Sequence, residues 1–497
     1  MGAIGLLVAF VLGIFIGGSE VLRLLIIFGV IALMAIIASM RQNVWLLIPM
    51  FWGFTGFVPL MPLPFSVRDL SVMLVGGIGF ALLTLRIYRF RSQLGLLDLF
   101  LFLNLAQVGL AFIAHPTGFR SFSSESVGAK PYFEIAIAIL AYLVVSNQVI
   151  PAKLSRALPV FILIPEAISS ILTLAIRIKP SLAYVLGLFY SSFLPSSDPL
   201  RGPVVERIAV GSGNTLVTTL CSYFRPLTLL SIGRPIRFLL FMIGITLILI
   251  SGFRSQLAGA VAIFVLASYF RKGIPDVIIV LTGIFMALLM IILVNSIYPL
   301  PLAVQRTLSF LPGHWDPRAA SDARGSTEWR LEMWQDAAKS TRYIRDRVMG
   351  DGFGFSRAEL QAMDRQRYAT GIMSQEDSMI IGAFHNGPLS TIRFVGVVGL
   401  VLYYALIIYT AIYAWRLIRA SGDFDYYPLA LFVGLPLIWE PFNYTLVFGG
   451  YDSGLPNTIF GIGMLKMIHN SLQSTSKEKT QNVSRLSPVE KNEPIPS

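Results

Sequence analysis

The chain has 497 residues, of which 55% are hydrophobic and only 13% carry a charge. Because soluble domains contain about 25% charged residues, this composition excludes an ordinary water-soluble globule. The formal net charge of +12 does not indicate a nucleic-acid partner, since basic residues of membrane proteins collect on cytoplasmic loops. The chain also lacks an aromatic-basic nucleic-acid motif.

Apolar segments long enough to cross a membrane recur along the chain, which predicts an all-α polytopic membrane protein with roughly 12 to 14 transmembrane helices. Fourteen candidate spans have centres near residues 10, 31, 53, 78, 105, 140, 167, 219, 244, 263, 286, 403, 437 and 460. The eighth, residues 208–230, is the weakest because it contains Asn214 and Arg225. Residues 1–18 lack a basic start and a cleavage site, so we interpret them as a retained helix rather than a signal peptide.

Lysine and arginine residues in the short loops predict the orientation of the spans. Fourteen spans place most of these residues on one side, assigned to the cytoplasm together with both termini, although Arg23 and Arg68 fall on the other side. Four regions follow: N-terminal transmembrane helices over 1–298, a large extracytoplasmic loop with amphipathic helices over 299–390, C-terminal transmembrane helices over 391–470, and a disordered cytoplasmic tail over 471–497.

The loop over residues 299–390 is far longer than the roughly 12–15 residues that unstructured loops rarely exceed, so it should contain helices. Residues 327–345 are predicted to form one of them. Leu331, Trp334 and Ala338 share one face at helical spacing, and Arg330 lies beside Trp334 on that face.

Three further features of the loop follow this helix. Residues 350–354 are dense in glycine and predict a turn, and residues 356–368 predict a second helix. His385 and Asn386 precede the twelfth span, in which Pro388 is suited to the first helical position.

Residue counts argue against a metal or cofactor. The single cysteine, Cys221, excludes an intramolecular disulfide and a cysteine-based zinc site. The four histidines are scattered along the chain without the spacing of metal ligands. We therefore predict no metal site and no cofactor.

Four segments, taken in this order, resemble the O-antigen ligase and polymerase superfamily of bacterial membrane glycosyltransferases, over about residues 207–470. They are Arg207-x-x-x-Gly211 followed by Asn214, Ser251-Gly252-Phe253-Arg254, Arg330-x-x-x-Trp334 followed by Gly350-Asp351-Gly352-Phe353-Gly354, and His385-Asn386 leading into a span with Gly396 and Gly399. The first segment departs from the usual Asn-Pro-Asn of the family.

The resemblance implies a fold related to the C-type glycosyltransferases, with a structured periplasmic loop on a helical bundle in the bacterial inner membrane. It implies metal-independent, inverting transfer of a glycan from undecaprenyl pyrophosphate to an acceptor hydroxyl. The enzyme would be a polymerase of exopolysaccharide or O-antigen repeat units, or a ligase to lipid A-core in lipopolysaccharide biosynthesis. Candidate partners are the lipid-linked donor, a glycan or lipid A-core acceptor, membrane lipids, and a chain-length regulator or other polysaccharide-assembly proteins.

Arginine suits the neutralisation of a pyrophosphate leaving group because its planar fork binds phosphate in a bidentate manner and stays charged. Arg254 and Arg207 lie at the outer ends of predicted spans, and we predict catalytic roles for both. The alternative is that they reach lipid headgroups. Arg330 and Trp334 would bind sugar or phosphate, or else pack an amphipathic helix on the membrane. Arg393 is a further candidate for phosphate.

His385 is the candidate general base, because an unperturbed pKa of about 6.5 permits proton acceptance near neutral pH. The adjacent helix start disfavours its protonated form and attracts phosphate. Asn386, its neighbour, is a candidate substrate contact. The alternative is that His385 only caps or packs the loop. Glu328, Glu376 and Asp377 are alternative bases, although clustered loop carboxylates are more often merely solvated.

Two carboxylates, Glu166 and Glu440, fall within predicted spans, where ionisable groups are unfavourable. Hydrogen bonding between helices is the favoured interpretation, and a proton path is the alternative.

A transporter or flippase for lipid-linked glycans is the rival from another functional class. A transporter should have inverted repeats with broken helices in corresponding positions, and the sequence has no such internal similarity. A purely structural membrane component would leave the polar loop unexplained.

Overall fold

The computed structural model describes residues 40–59, 65–86, 94–118, 126–187, 189–193, 211–370 and 374–486, without side chains at 41–42, 367–370 and 478–486. The first two predicted spans and Arg207 lie outside the described residues.

Helices make up nearly all regular structure in the described part of the chain. The elements before residue 230 are a 3-10 helix (Arg41–Leu46), α1 (Leu47–Phe51), α2 (Val67–Thr84), α3 (Leu96–Ala114), β1 (Ser126–Val127), α4 (Lys130–Val145), α5 (Ala152–Ile178), α6 (Leu182–Leu186), a second 3-10 helix (Ser191–Phe193), α7 (Ser212–Tyr223) and α8 (Pro226–Leu229).

The remaining elements carry the candidate site. They are α9 (Pro235–Ile250), α10 (Arg254–Lys272), α11 (Ile274–Ile297), α12 (Leu302–Leu308), α13 (Pro317–Lys339), β2 (Phe355–Ser356), α14 (Arg357–Thr370), α15 (Gln375–Ile380), α16 (Gly387–Ala420), α17 (Tyr427–Phe442), a π-helix (Asn443–Val447) and α18 (Tyr451–Leu486). The two short strands pair with each other in antiparallel orientation. The prediction of an all-α fold is confirmed.

Six of the described helices are long and apolar enough to cross a membrane: α2, α3, α5, α11, α16, and α17 together with the π-helix. Helix α9 is also apolar but is shorter. Helix α11 exposes most of its large apolar side chains, as expected for a helix that faces lipid. The prediction of a polytopic membrane protein is confirmed.

Two predicted spans are wrong as continuous helices. Near residue 53 the structure has a 3-10 helix and the five-residue α1. Gly56 lies here so close to the Tyr190 ring that an added Cβ would be 2.5 Å from it. In the predicted span over 208–230, α7 ends at Tyr223. The residue before a proline avoids helical geometry, and Arg225 is accordingly extended before Pro226.

The first predicted loop helix is present as α13, but its predicted boundaries are wrong. It begins at Pro317, because Asp316 caps it through the Arg318 backbone N–H and Pro317 suits the first turn. It ends at Lys339 rather than at residue 345. The second predicted helix is confirmed as α14.

The packed face of α13 also differs from the prediction. Met333 and Ala337 are buried against Phe384, whereas Leu331 is 48% exposed and Ala338 is exposed. Trp334 packs against the edge of this cluster, and the side chains of Arg330 and Leu331 line a cavity.

The predicted glycine turn docks into a break in α16. Gly396 has φ of 71° inside this helix, and a Cβ there would lie 1.9 Å from the Val348 carbonyl oxygen. The Asp351 backbone N–H donates to the Arg393 carbonyl oxygen at 2.8 Å. Backbone groups freed by the break need partners within the protein, because lipid offers none. The turn supplies them and holds the long loop over the membrane helices.

Helix α18 packs against α4 and α16 in the core. Tyr403, Tyr444 and Tyr451 are fully buried there, with ring centroids 5.0–5.1 Å apart in edge-to-face contacts around Tyr403. The backbone of α18 continues past Asn470, where the sequence predicts a disordered tail, as far as Leu486.

Candidate functional site

A cavity of about 760 Å³ runs between α9, α10 and α11 and reaches α12 and α13. Each of the three long helices turns one face into it. On α11 the lining residues recur at helical spacing, from Val280 through Ile284 and Leu288 to Ile291. The lining is apolar over most of its length, so this part suits a hydrocarbon chain.

Three arginines line the cavity near the long loop: Arg254 from α10, Arg306 from α12 and Arg330 from α13. The described lining residues include no aspartate or glutamate. One end of an apolar cavity therefore carries arginine side chains, and it suits an anionic group attached to an apolar tail.

Arg254 begins α10 and is held by two groups of α13. Its Nη2 donates to the Ala323 carbonyl oxygen at 2.8 Å and to Thr327 Oγ1 at 3.1 Å. Neither partner is anionic, so these contacts orient the guanidinium without neutralising it.

Arg306 is the residue that the sequence analysis missed. It is only 4% exposed, forms an ion pair with Asp322, and donates to the Gly252 carbonyl oxygen. The sequence does contain a signal for Arg306 as a candidate site residue. It is the only charged residue in Leu302–Leu308, the segment directly after a predicted span. Arg306 and Arg254 repel each other electrostatically, and Asp322 offsets part of that repulsion.

The structure brings Arg330 and Trp334 to the same face of α13, as predicted. The Arg330 guanidinium carbon lies 6.0 Å from the centre of the Phe448 ring, within cation–π range. Trp334 Nε1 donates to the Phe384 carbonyl oxygen at 2.7 Å. Trp334 therefore holds the backbone of Phe384, the residue directly before His385, in place.

His385 lies beside the arginine end of the cavity. Its ring stacks on Phe448, with centroids 5.1 Å apart, and contacts Trp329 at 5.9 Å. Burial lowers the His385 pKa, and the positive charge of Arg330 lowers it further. Its backbone φ is 52°, a left-handed conformation that is uncommon outside glycine and is enriched at functional sites. The neutral form, which can accept a proton, is favoured.

Asn386 caps α16, and its Oδ1 accepts a hydrogen bond from the Leu389 backbone N–H at 3.0 Å. This contact fixes the loop that carries His385. The contact of Asn386 with substrate stays a prediction.

Arg393 is not brought to the cavity, contrary to the expectation that it would bind phosphate. It is 8% exposed and forms an ion pair with Asp351 at 3.3 Å. Its guanidinium also donates to the carbonyl oxygens of Gly352 and Gly354, at 3.2 and 3.3 Å. These contacts fasten the glycine turn to α16.

The alternative bases are less well placed than His385. Glu376 forms an ion pair with Arg342, and Asp377 is in the capping box of α15. Glu328 is exposed on α13. In the described part of the chain, no group of three His, Cys, Asp or Glu residues could hold a metal ion.

Both intramembrane carboxylates have hydrogen-bond partners. Glu166 of α5 bonds to Thr215 of α7, and Glu440 Oε2 accepts from Asn443 Nδ2 at 3.1 Å. The Glu166 contact joins two helices, as the favoured interpretation expects. The Glu440 contact is instead local, because Asn443 follows three residues later in the continuing π-helix.

Residues 239–404 match the family model described as O-Antigen ligase. No curated protein matches the chain. The matched segment runs from α9 into α16 and includes Arg254, Arg306, Arg330 and His385. The resemblance stated from the sequence is confirmed for this segment.

Proposed function

We propose that the protein transfers a glycan from an undecaprenyl-pyrophosphate donor to an acceptor hydroxyl at the periplasmic face of the inner membrane. The match of residues 239–404 to the O-Antigen ligase family model supports this proposal. The observation that carries this proposal is the apolar cavity with three arginines at one end. The prenyl tail occupies the part between α9 and α11, and the pyrophosphate meets the arginines.

The arginines take the place of a metal ion in this proposal. Charge develops on the pyrophosphate as its bond to the sugar breaks, and fixed cations that meet this charge lower the barrier. Arg254 is best placed for this role, because its protein partners are a carbonyl and a hydroxyl. Arg306 already pairs with Asp322, so its net contribution is smaller. Arg330 completes the positive end.

His385 is the general base. It takes the proton of the acceptor hydroxyl as that oxygen bonds to the anomeric carbon and the carbon–oxygen bond to pyrophosphate breaks. Such a single displacement inverts the anomeric configuration. The lowered pKa keeps the imidazole neutral near neutral pH, and the Phe448 and Trp329 rings restrict its orientation. Trp334 and Asn386 hold the loop on both sides of it.

Deletion of the gene should change the glycans that accumulate on the lipid carrier. Single repeat units on the carrier would identify a polymerase, to which we give slight preference, and long chains would identify a ligase. The measurement is mass analysis of lipid-linked glycans from the deletion strain and from the same strain carrying the gene on a plasmid.

A flippase would give a different result in the same strain. Its loss would leave the donor on the cytoplasmic leaflet, where it stays inaccessible to periplasmic enzymes in intact spheroplasts. Unchanged lipid-linked glycans would contradict the transferase and the flippase alike.

The long loop should be accessible from the periplasm. Ser321 is exposed on α13 and Asp423 is exposed after α16, on the opposite side of the membrane in the proposed orientation. In spheroplasts, a membrane-impermeant maleimide should label Ser321→Cys and should label Asp423→Cys only after permeabilisation. Cys221 is buried, so the parent protein is a suitable blank. The reverse pattern would overturn the periplasmic placement of the site.

A further inference from the structure

A second cavity of about 440 Å³ lies on the other side of α10, between α7, α10 and α17. The first turns of α10 separate it from the arginine-lined cavity. Arg254, Leu257 and Val261 face the first cavity, whereas Gln256, Gly259 and Ile263 face the second. Ser255 lines both. The two cavities therefore adjoin across the thickness of one helix, at the end where the arginines lie.

Several polar side chains line the second cavity, although it lies within an apolar helical bundle. Asn214, Gln256 and Glu440 line it together with Thr218 and Asn443. Asn214 Oδ1 and Gln256 Oε1 are buried, and neither has a hydrogen-bond partner among the described residues. Buried polar atoms in folded proteins nearly always have partners. Both side chains line the second cavity, and an amide oxygen without a partner is suited to a ligand that supplies hydrogen-bond donors.

Aromatic rings complete the cavity and connect it to the candidate base. Trp439 lines one wall, with its indole nitrogen 3.8 Å from the position of a Cβ built on Gly259. Phe448 lines another wall, and its ring also contacts His385 and Arg330. The Phe448 ring therefore separates a ligand in the second cavity from His385 and Arg330.

We propose that the second cavity binds the acceptor through a sugar residue, whose hydroxyls bond to Asn214, Gln256 and Glu440. The proposal rests on the proposed transferase function. Amide and carboxylate oxygens accept hydrogen bonds from hydroxyls, and the aromatic rings offer apolar surface to a sugar face. The volume is within the range of about 300–1,000 Å³ for small-molecule pockets, far more than an ion needs. With the donor in the first cavity, the acceptor hydroxyl approaches from the side of His385.

Gln256→Met and Asn214→Leu test the site, because both retain much of the side-chain size and remove the amide. The probe is the oligosaccharide mixture released by mild acid from the envelope polysaccharide of the same strain. Each variant should raise the KM for this acceptor by about tenfold or more, as expected when buried polar contacts are lost. Hydrolysis of the lipid-linked donor by water should stay within about twofold of the parent rate. Gln361→Met, on the exposed side of α14, is the matched control.

A labelling experiment tests the cavity independently of transfer. The oligosaccharide mixture should protect Gly259→Cys from maleimide, and undecaprenyl pyrophosphate without a glycan should not. Protection in a protein that fails to transfer would support the cavity and contradict the transferase. Absence of protection, or an unchanged acceptor KM in folded variants, would overturn the acceptor site while leaving the transferase in place. A loss of thermal stability alone would show that the amides only serve packing, and would also overturn it.

Discussion

His385→Ala is expected to lower the rate of glycan transfer by about 10²–10⁴-fold, which is the range for loss of general-base assistance. Donor binding should stay within about twofold, because the lost interaction belongs to the transition state rather than to the bound donor. The measurements are single-turnover transfer with saturating donor and, separately, the affinity of the purified protein for the donor.

The backbone at His385 calls for a second variant. Its φ of 52° disfavours alanine, whereas asparagine tolerates this conformation. His385→Asn should therefore retain the fold of the loop and lose transfer to the same extent. His314 is exposed in the loop before α13, and His314→Ala is the matched control that should keep the parent rate. Transfer near the parent rate in folded His385→Asn would place the base elsewhere, and Glu328 would be tested next.

Arg254→Lys should reduce transfer by about 10²-fold or more, as for removal of a group that stabilises transition-state charge. Lysine keeps one positive charge but loses the planar fork. Its ammonium cannot hold the Ala323 carbonyl and the Thr327 hydroxyl while also presenting two donors to phosphate. Single-turnover transfer and donor affinity should be measured together, and both should fall.

Arg318→Lys is the control for this substitution. Arg318 is an exposed arginine of α13 that pairs with Asp316 at 3.1 Å, outside the cavity. Its replacement should leave transfer within about twofold. If folded Arg254→Lys transfers at the parent rate, the pyrophosphate is neutralised by other groups, and the buried Arg306 becomes the residue to replace.

The sequence by itself determined the class of the protein and several local elements around the candidate site. Composition and recurrent apolar segments dictate a helical membrane protein, because each crossing must satisfy its backbone hydrogen bonds internally. Local patterns also located the glycine turn, α14 and the start of α16, where Asn386 supplies the cap. These features depend on residues close together in the chain, so a local pattern is sufficient to predict them.

Only the tertiary structure decided which arginines share a cavity. Arg393 and Arg306 both lie next to predicted membrane segments, yet Arg393 is bound to Asp351 and Arg306 lines the cavity. The second cavity likewise requires α7, α10 and α17 to meet, although they are distant in sequence. Side-chain burial and pairing depend on contacts between such distant segments. The spacing of residues along one helix does not determine side-chain burial and pairing. They are determined by how the helices pack in the bundle.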